Sequence, residues 1–198
     1  EEDIALTNVS LDHIGQARAI LTYAAEIEGL GKTEDDLAFL RDERSYYNVL
    51  LAELPNGNFA DTIAKQVLID AYLYHLYSQL MESKDERLAA HAAKSLKEVT
   101  YHLRHSAEWV VRLGDGTPES HLKIQAAFHN IWMYTADLFE MNETDELLVD
   151  LGIGVDMHKI ESLWYQSVRE VFDRATLKLP QDVFMQTGRL QGIHTEHL

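Results

Sequence analysis

Apolar residues recur at three- and four-residue steps through most of this chain, and that spacing admits little besides helices. In the first segment Ile4, Leu11, Ile14, Ala17, Leu21 and Ala24 fall on one stripe, expected to face the core. The first helix should stop at Gly29-Leu30-Gly31, where glycine supplies a C-terminal cap. Thr33 with Asp36 reads as a capping box that opens a short acidic helix, and a further helix is expected over 39–51. Pro55-Asn56-Gly57-Asn58 is a turn by composition. Long helices are expected over 59–81, with Asp61 near its start, and over 86–113, separated by the polar Glu82-Ser83-Lys84-Asp85. Gly114-Asp115-Gly116-Thr117-Pro118 is the strongest turn, its proline ready to open the next helix. Helices over 119–141 and 156–175 follow, with an acidic linker at 142–146 and Gly152-Ile153-Gly154 between them. The tail from Leu179 is irregular.

No strand alternation, internal repeat or Pro/Ser-rich linker divides the sequence. The reading is all-α: a single domain over 1–198 in which short connections set neighbouring helices antiparallel, as in an up-and-down bundle. The 33 acidic residues against 17 basic ones leave a formal net charge of −16. That balance argues against a nucleic-acid backbone and against an anionic membrane surface as partners, and leaves a less acidic protein partner open. No apolar run approaches the ~20 residues of a membrane span. With no cysteine, the chain can hold neither a disulfide nor a thiolate zinc or iron–sulfur site, and it fits the reducing cytoplasm. The opening Glu1-Glu2-Asp3 is unlike a signal peptide, and the lack of an initiating Met suggests a start inside a longer protein.

In a bundle, the informative residues are polar ones on inner faces. Asn8, Asp12 and Gln16 are spaced i, i+4, i+8 on the first helix, and Asp70 sits amid Val67, Leu68, Ile69, Ala71 and Leu73. Glu98, Tyr101, His102 and His105 share one side of their helix. Carboxylates and imidazoles meeting in a bundle core suggest a di-iron carboxylate site, which takes a Glu from each of two helices and Glu-x-x-His from each of two others. The spacing here is broken. Glu98 is followed at i+3 by Tyr101, and His102 comes one position late, a turn of about 100° around the helix. Asp12-His13-Ile14-Gly15 has no i+3 histidine, and His194-Thr195-Glu196-His197 lies in the irregular tail. Buried polar groups that satisfy one another are the plainer reading, and irregular ligation by Asp12, Asp70, Glu98 and His102 is the alternative.

Asp42 between Arg41 and Arg44 reads as an ordinary ion pair. The ten histidines are scattered and expected mostly on helix surfaces. Trp109, Trp132 and Trp164 with Tyr134 and Tyr165 read as core. No nucleophile elbow, P-loop or dinucleotide fingerprint is present, so no catalytic and no cofactor-binding residue is assigned.

Several stretches carry a resemblance. They are Leu11-Asp12-His13-Ile14-Gly15-Gln16-Ala17-Arg18, Arg41-Asp42-Glu43-Arg44, Pro55-Asn56-Gly57-Asn58-Phe59-Ala60-Asp61-Thr62-Ile63-Ala64 and Lys97-Glu98-Val99-Thr100-Tyr101-His102-Leu103-Arg104. With Gly192-Ile193-His194-Thr195-Glu196-His197-Leu198, in order from Leu11 to Leu198, they resemble the C-subunit family of multicomponent phenylacetyl-CoA 1,2-epoxidases. The resemblance implies a ferritin-like antiparallel four-helix bundle with additional helices, lacking the family's N-terminal and C-terminal helices. It implies a structural, non-catalytic component, without activity of its own, of an NADPH-dependent monooxygenase complex of phenylacetate degradation. Its partners would be the catalytic A subunit, which holds the di-iron centre, and the other epoxidase subunits; a reductase would bring NADPH, FAD and iron–sulfur. No cofactor is then expected in this chain. Asp12, Asp70, Glu98, Tyr101 and His102 would be the degenerate remnant of a di-iron site, rewired into ion pairs and hydrogen bonds. A ferritin-like di-iron oxygenase subunit with its own irregular metal site, or a stand-alone ferritin-like binding protein, stays as the alternative.

Overall fold

A computed structural model describes residues 2–198. It contains eight α-helices and, among the described residues, no strand: α1 (Glu2–Glu28), α2 (Glu34–Phe39), α3 (Leu50–Glu53), α4 (Phe59–Leu80), α5 (Glu86–Gly114), α6 (Pro118–Ile131), α7 (Glu143–Asp150) and α8 (Met157–Arg174). The four long helices α1, α4, α5 and α8 fit the all-α, ferritin-like bundle expected from the sequence, with the shorter helices added around them. Among the described residues, no helix is long and apolar enough to cross a membrane.

Helix starts follow their caps. Asn58 accepts from the backbone N–H of Ala60 at 2.8 Å while Asp61 accepts from that of Asn58 at 2.9 Å, so α4 begins one residue after the turn. Thr33 and Asp36 form the same reciprocal box at α2. Residues 81–85 join α4 to α5 so briefly that the two run antiparallel, and they share the largest helix interface of the molecule. The main core lies where α4, α5, α6 and α8 meet. Ile63, Val67 and Leu68 pack there with Val110, Ile124, Phe128, Ile160, Trp164 and Phe172, all nearly or fully buried. Gly114 lets the end of α5 press on the end of α8: a Cβ there would run into the Ala175 carbonyl oxygen and come within 2.9 Å of the Ala175 Cβ.

The structure corrects several expectations about the helices and the core. Residues 39–51 do not form one continuous helix: α2 ends at Phe39, the Tyr46 hydroxyl donates to the Ala38 carbonyl at 2.7 Å, and extended backbone leads to the single turn of α3. The helix expected over 119–141 ends at Ile131 and tightens into two 3₁₀ turns, Trp132–Tyr134 and Ala136–Phe139. The acidic linker is the start of α7, capped by Asn142 and Asp145 in a box like that at α2. Asp42 is exposed and, among the described residues, lies in no ion pair. Tyr165 is 45% exposed rather than core, unlike its neighbour Trp164 at 3%.

The tail after α8 is irregular, as expected, but it is anchored. Buried Asp137, in the second 3₁₀ turn, accepts from the backbone N–H groups of Leu50 (2.9 Å), Gly188 (3.0 Å) and Arg189 (3.1 Å). Arg189 returns hydrogen bonds to the carbonyls of Asp137 (2.8 Å) and Glu140 (2.7 Å). His194 Nδ1 lies 2.7 Å from Glu53 Oε1, and Glu53 also accepts from the Thr195 N–H at 2.8 Å. The His-Thr-Glu-His run thus fastens the tail to α3.

Candidate functional site

Helix α1 is attached in an unexpected orientation. Its apolar stripe faces outward: Ile4 is 67% exposed, Leu11 60% and Ile14 63%, while Val9, Gln16 and Ala25 are its buried residues. The reason lies in the opposite face, where polar groups spaced along α1 meet polar groups on α5 running the other way. Glu2 Oε2 accepts from the Trp109 indole N–H at 2.6 Å and lies 3.0 Å from His105 Nε2. Further along, Asp12 Oδ2 is 2.9 Å from His102 Nε2, and Gln16 Nε2 donates to Glu98 at 2.9 Å. Near the far end the Tyr23 hydroxyl donates to Asp85 at 2.6 Å, and Arg87 forks onto both oxygens of Glu26 while lying over the Tyr23 ring. A helix held by such a seam keeps the inward face polar, because each buried donor or acceptor requires its partner.

The seam encloses a compact cluster. One ligand-capable atom each from His13, Asp70 and His102, on α1, α4 and α5, lies within 4.8 Å of the other two. Asp70 is fully buried; its Oδ1 accepts from Gln66 at 2.7 Å and its Oδ2 from the Ser106 hydroxyl at 2.7 Å. Burial drives its carboxyl up to about 7, against the opposing pull of the Ser106 and Gln66 hydrogen bonds. The His13 ring stands edge-on to His102, centroids 5.1 Å apart. Burial, then the neighbouring His102, holds His13 below the ordinary histidine range. His102 is 1% exposed, and its Nδ1 has no hydrogen-bond partner.

Of the residues singled out from sequence, Asp12, Asp70, Glu98 and His102 all lie in or beside this seam, but only Asp70 and His102 share the cluster. Glu98 is committed to Gln16, whose own Oε1 accepts from the Tyr77 hydroxyl at 3.1 Å. Asn8 is exposed. Tyr101 departs from its expected place: it is 45% exposed and stacks on His105, ring centroids 6.1 Å apart. The rotation of about 100° between adjacent helical positions puts His102 inward and Tyr101 outward. Sequence reasoning passed over His13, Gln66 and Ser106. Their signal is local spacing, since Gln66 stands four residues before Asp70, Ser106 four after His102, and His13 three before Gln16. Nor are the histidines mostly on the surface: only His129, His158 and His197 are exposed.

The donor set does not fit a di-iron centre. Two irons need several bridging and terminal carboxylates, and here a single carboxylate lies among two imidazoles. A surface pocket of about 560 Å³ lies elsewhere, lined by Tyr134, Phe184, Ile193 and His194 of the anchored tail.

The sequence pattern of the family described as Phenylacetic acid catabolic protein matches residues 1–198. The chain is also similar to the C subunit of the 1,2-phenylacetyl-CoA epoxidase of Escherichia coli (strain K12), with 50% identity over 198 residues, all of this chain and 79% of that protein. A match over the whole length and identity of that order place the sequence without ambiguity: this chain belongs to the phenylacetic acid catabolic protein family.

Proposed function

We propose that the chain is the structural, non-catalytic subunit of a phenylacetyl-CoA ring 1,2-epoxidase complex, acting in the cytoplasm in aerobic phenylacetate degradation. In this reading it pairs with a related catalytic subunit, the A component of the complex, and supports it. That partner holds the di-iron centre, and a reductase with NADPH, FAD and iron–sulfur supplies electrons. The observation that carries the reading is the 50% identity to a protein named as the C subunit of that epoxidase, across all of this chain. The inner face is in keeping with it, because Glu98, where a ligand would be expected, is spent on a hydrogen bond to Gln16. The outward stripe of α1 supports pairing. Ile4, Leu11 and Ile14, each at least 60% exposed, form an apolar row that a partner helix would cover. A net charge of −16 opposes self-association and favours a less acidic partner.

Co-expression with the catalytic subunit tests this. A stable heteromer with iron confined to the partner chain is the expected result. Iron at about two per chain on this protein alone would overturn it, since a di-iron site would then be its own.

A further inference from the structure

A buried histidine with one nitrogen satisfied and the other without a partner is an incomplete arrangement. His102 is such a residue, at 1% exposure, with Nε2 on Asp12 and Nδ1 unpaired. Orphaned buried nitrogens are costly, and a histidine whose far N–H is held by a carboxylate is the usual posture of a metal ligand. The neighbouring donors are an imidazole from α1 and a carboxylate from α4, each on a different helix. Asp70 is oriented by Ser106 and Gln66, yet each of its oxygens accepts only one hydrogen bond from these side chains and keeps a lone pair.

We propose that His13, Asp70 and His102 bind one divalent transition ion of the zinc class, with Asp12 orienting His102 from behind. Two imidazoles and one carboxylate are a borderline-soft set, suited to zinc and unsuited to magnesium or calcium. Three protein ligands leave a fourth position for water. Tetrahedral zinc with bonds near 2.0–2.1 Å wants donors about 3.3 Å apart, so the atoms now within 4.8 Å must close slightly. His13 is half-buried while the other two are enclosed, so its ring supplies both the movement and the route by which the ion enters. The ion would tie α1 to α4 and α5 at the middle of the seam. The cluster's geometry alone supports this site, which stands apart from the reading of the chain as an epoxidase subunit.

The test uses the full chain, stripped of metal by chelator and titrated with Zn²⁺ by calorimetry, with the bound metal counted by mass spectrometry. One Zn²⁺ per chain is expected. His13→Gln, a change at a half-buried position, should weaken binding more than about 100-fold, and Asp12→Asn by about 10–100-fold, the range for losing an orienting carboxylate. His158→Gln, on the exposed face of α8, should leave it unchanged. Co²⁺ in place of Zn²⁺ should give the visible absorption of a tetrahedral site, lost in His13→Gln. No binding in the intact chain, or binding equal in His13→Gln and the parent, would overturn the proposal.

Discussion

His102 Nε2 and Asp12 Oδ2 lie 2.9 Å apart across the α1–α5 seam, one side chain fully enclosed and the other 39% open to solvent. The pair therefore works asymmetrically. Removing Asp12 strands a buried nitrogen, whereas removing His102 strands a carboxylate that water can reach. Asp12→Ala should cost about 1–3 kcal/mol, the penalty of an orphaned buried polar group. Urea unfolding checks this as a lower midpoint at unchanged slope, and a double-mutant cycle with Glu98→Ala, which cuts a separate rung, should be nearly additive.

The buried Asp70 sets a pH dependence of a particular sign in the metal-stripped chain. Its carboxyl titrates near 7 in the fold and at 3.8 when free, so between these values the native state binds the extra proton. Stability from this group therefore falls as pH rises from about 4 to about 7, by up to roughly 4 kcal/mol. His13, held low, runs the opposite way, its contribution complete above 6.5 and lost as pH falls. Asp70→Asn removes only the first contribution. The variant should gain stability relative to the parent at pH 8 and lose that advantage at pH 5; an equal difference at both values would contradict the assignment.

Much of this architecture was legible in the sequence, and the exceptions have physical causes. α4, α5 and α8 could be placed to within a residue or two because apolar period and capping residues agree, as at Asn58 and Asp61. The stretch after Ile131 could not, since Trp132, Leu138 and Phe139 are buried whether they continue a helix or turn in 3₁₀ steps. The face of α1 was misjudged for a different reason. An apolar stripe reports what a helix prefers to cover, and here the isolated chain offers a polar seam instead. Asp12, Asp70, Glu98 and His102 were visible as inward polar residues, but which of them meet depends on rotation and register between helices. That is why His13 belongs to the cluster and Tyr101 does not.

The outward row on α1 can be tested without touching the fold. Leu11→Asp and Ile14→Asp place charge on positions that are 60% and 63% exposed, so each should alter stability by no more than about 0.5 kcal/mol. If the row meets the catalytic subunit, either change should abolish copurification while the melting temperature of the chain alone stays put. Undiminished copurification with both changes present would place the contact elsewhere.

Two glycines on helices should respond with opposite signs. Gly15, in the exposed middle of α1, has no atom within 4 Å of a built Cβ, so Gly15→Ala should stabilise by about 0.5–1 kcal/mol through helix entropy alone. Gly114→Ala drives a methyl into the Ala175 backbone and should destabilise by about 1–3 kcal/mol as an overpacked contact. Thermal unfolding of the two variants side by side decides it.

Asp137 gives the sharpest test of how the tail is held. Its fully buried carboxylate accepts from three backbone N–H groups, of Leu50 in α3 and of Gly188 and Arg189 in the tail, segments far apart in sequence. Asp137→Ala leaves all three donors without that acceptor, at about 1–3 kcal/mol for each that water cannot reach. The cheapest relief is for the tail to peel away and hydrate Gly188 and Arg189, because residues 178–198 contribute few side chains to the core. Hydrogen exchange should therefore speed up across 184–198 and at Leu50, with α4, α5 and α8 protected as before. Asp137→Asn keeps one acceptor oxygen and should hold the tail more firmly than the alanine variant. Uniform loss of protection across all helices in Asp137→Ala would mean that the tail and bundle unfold as one unit.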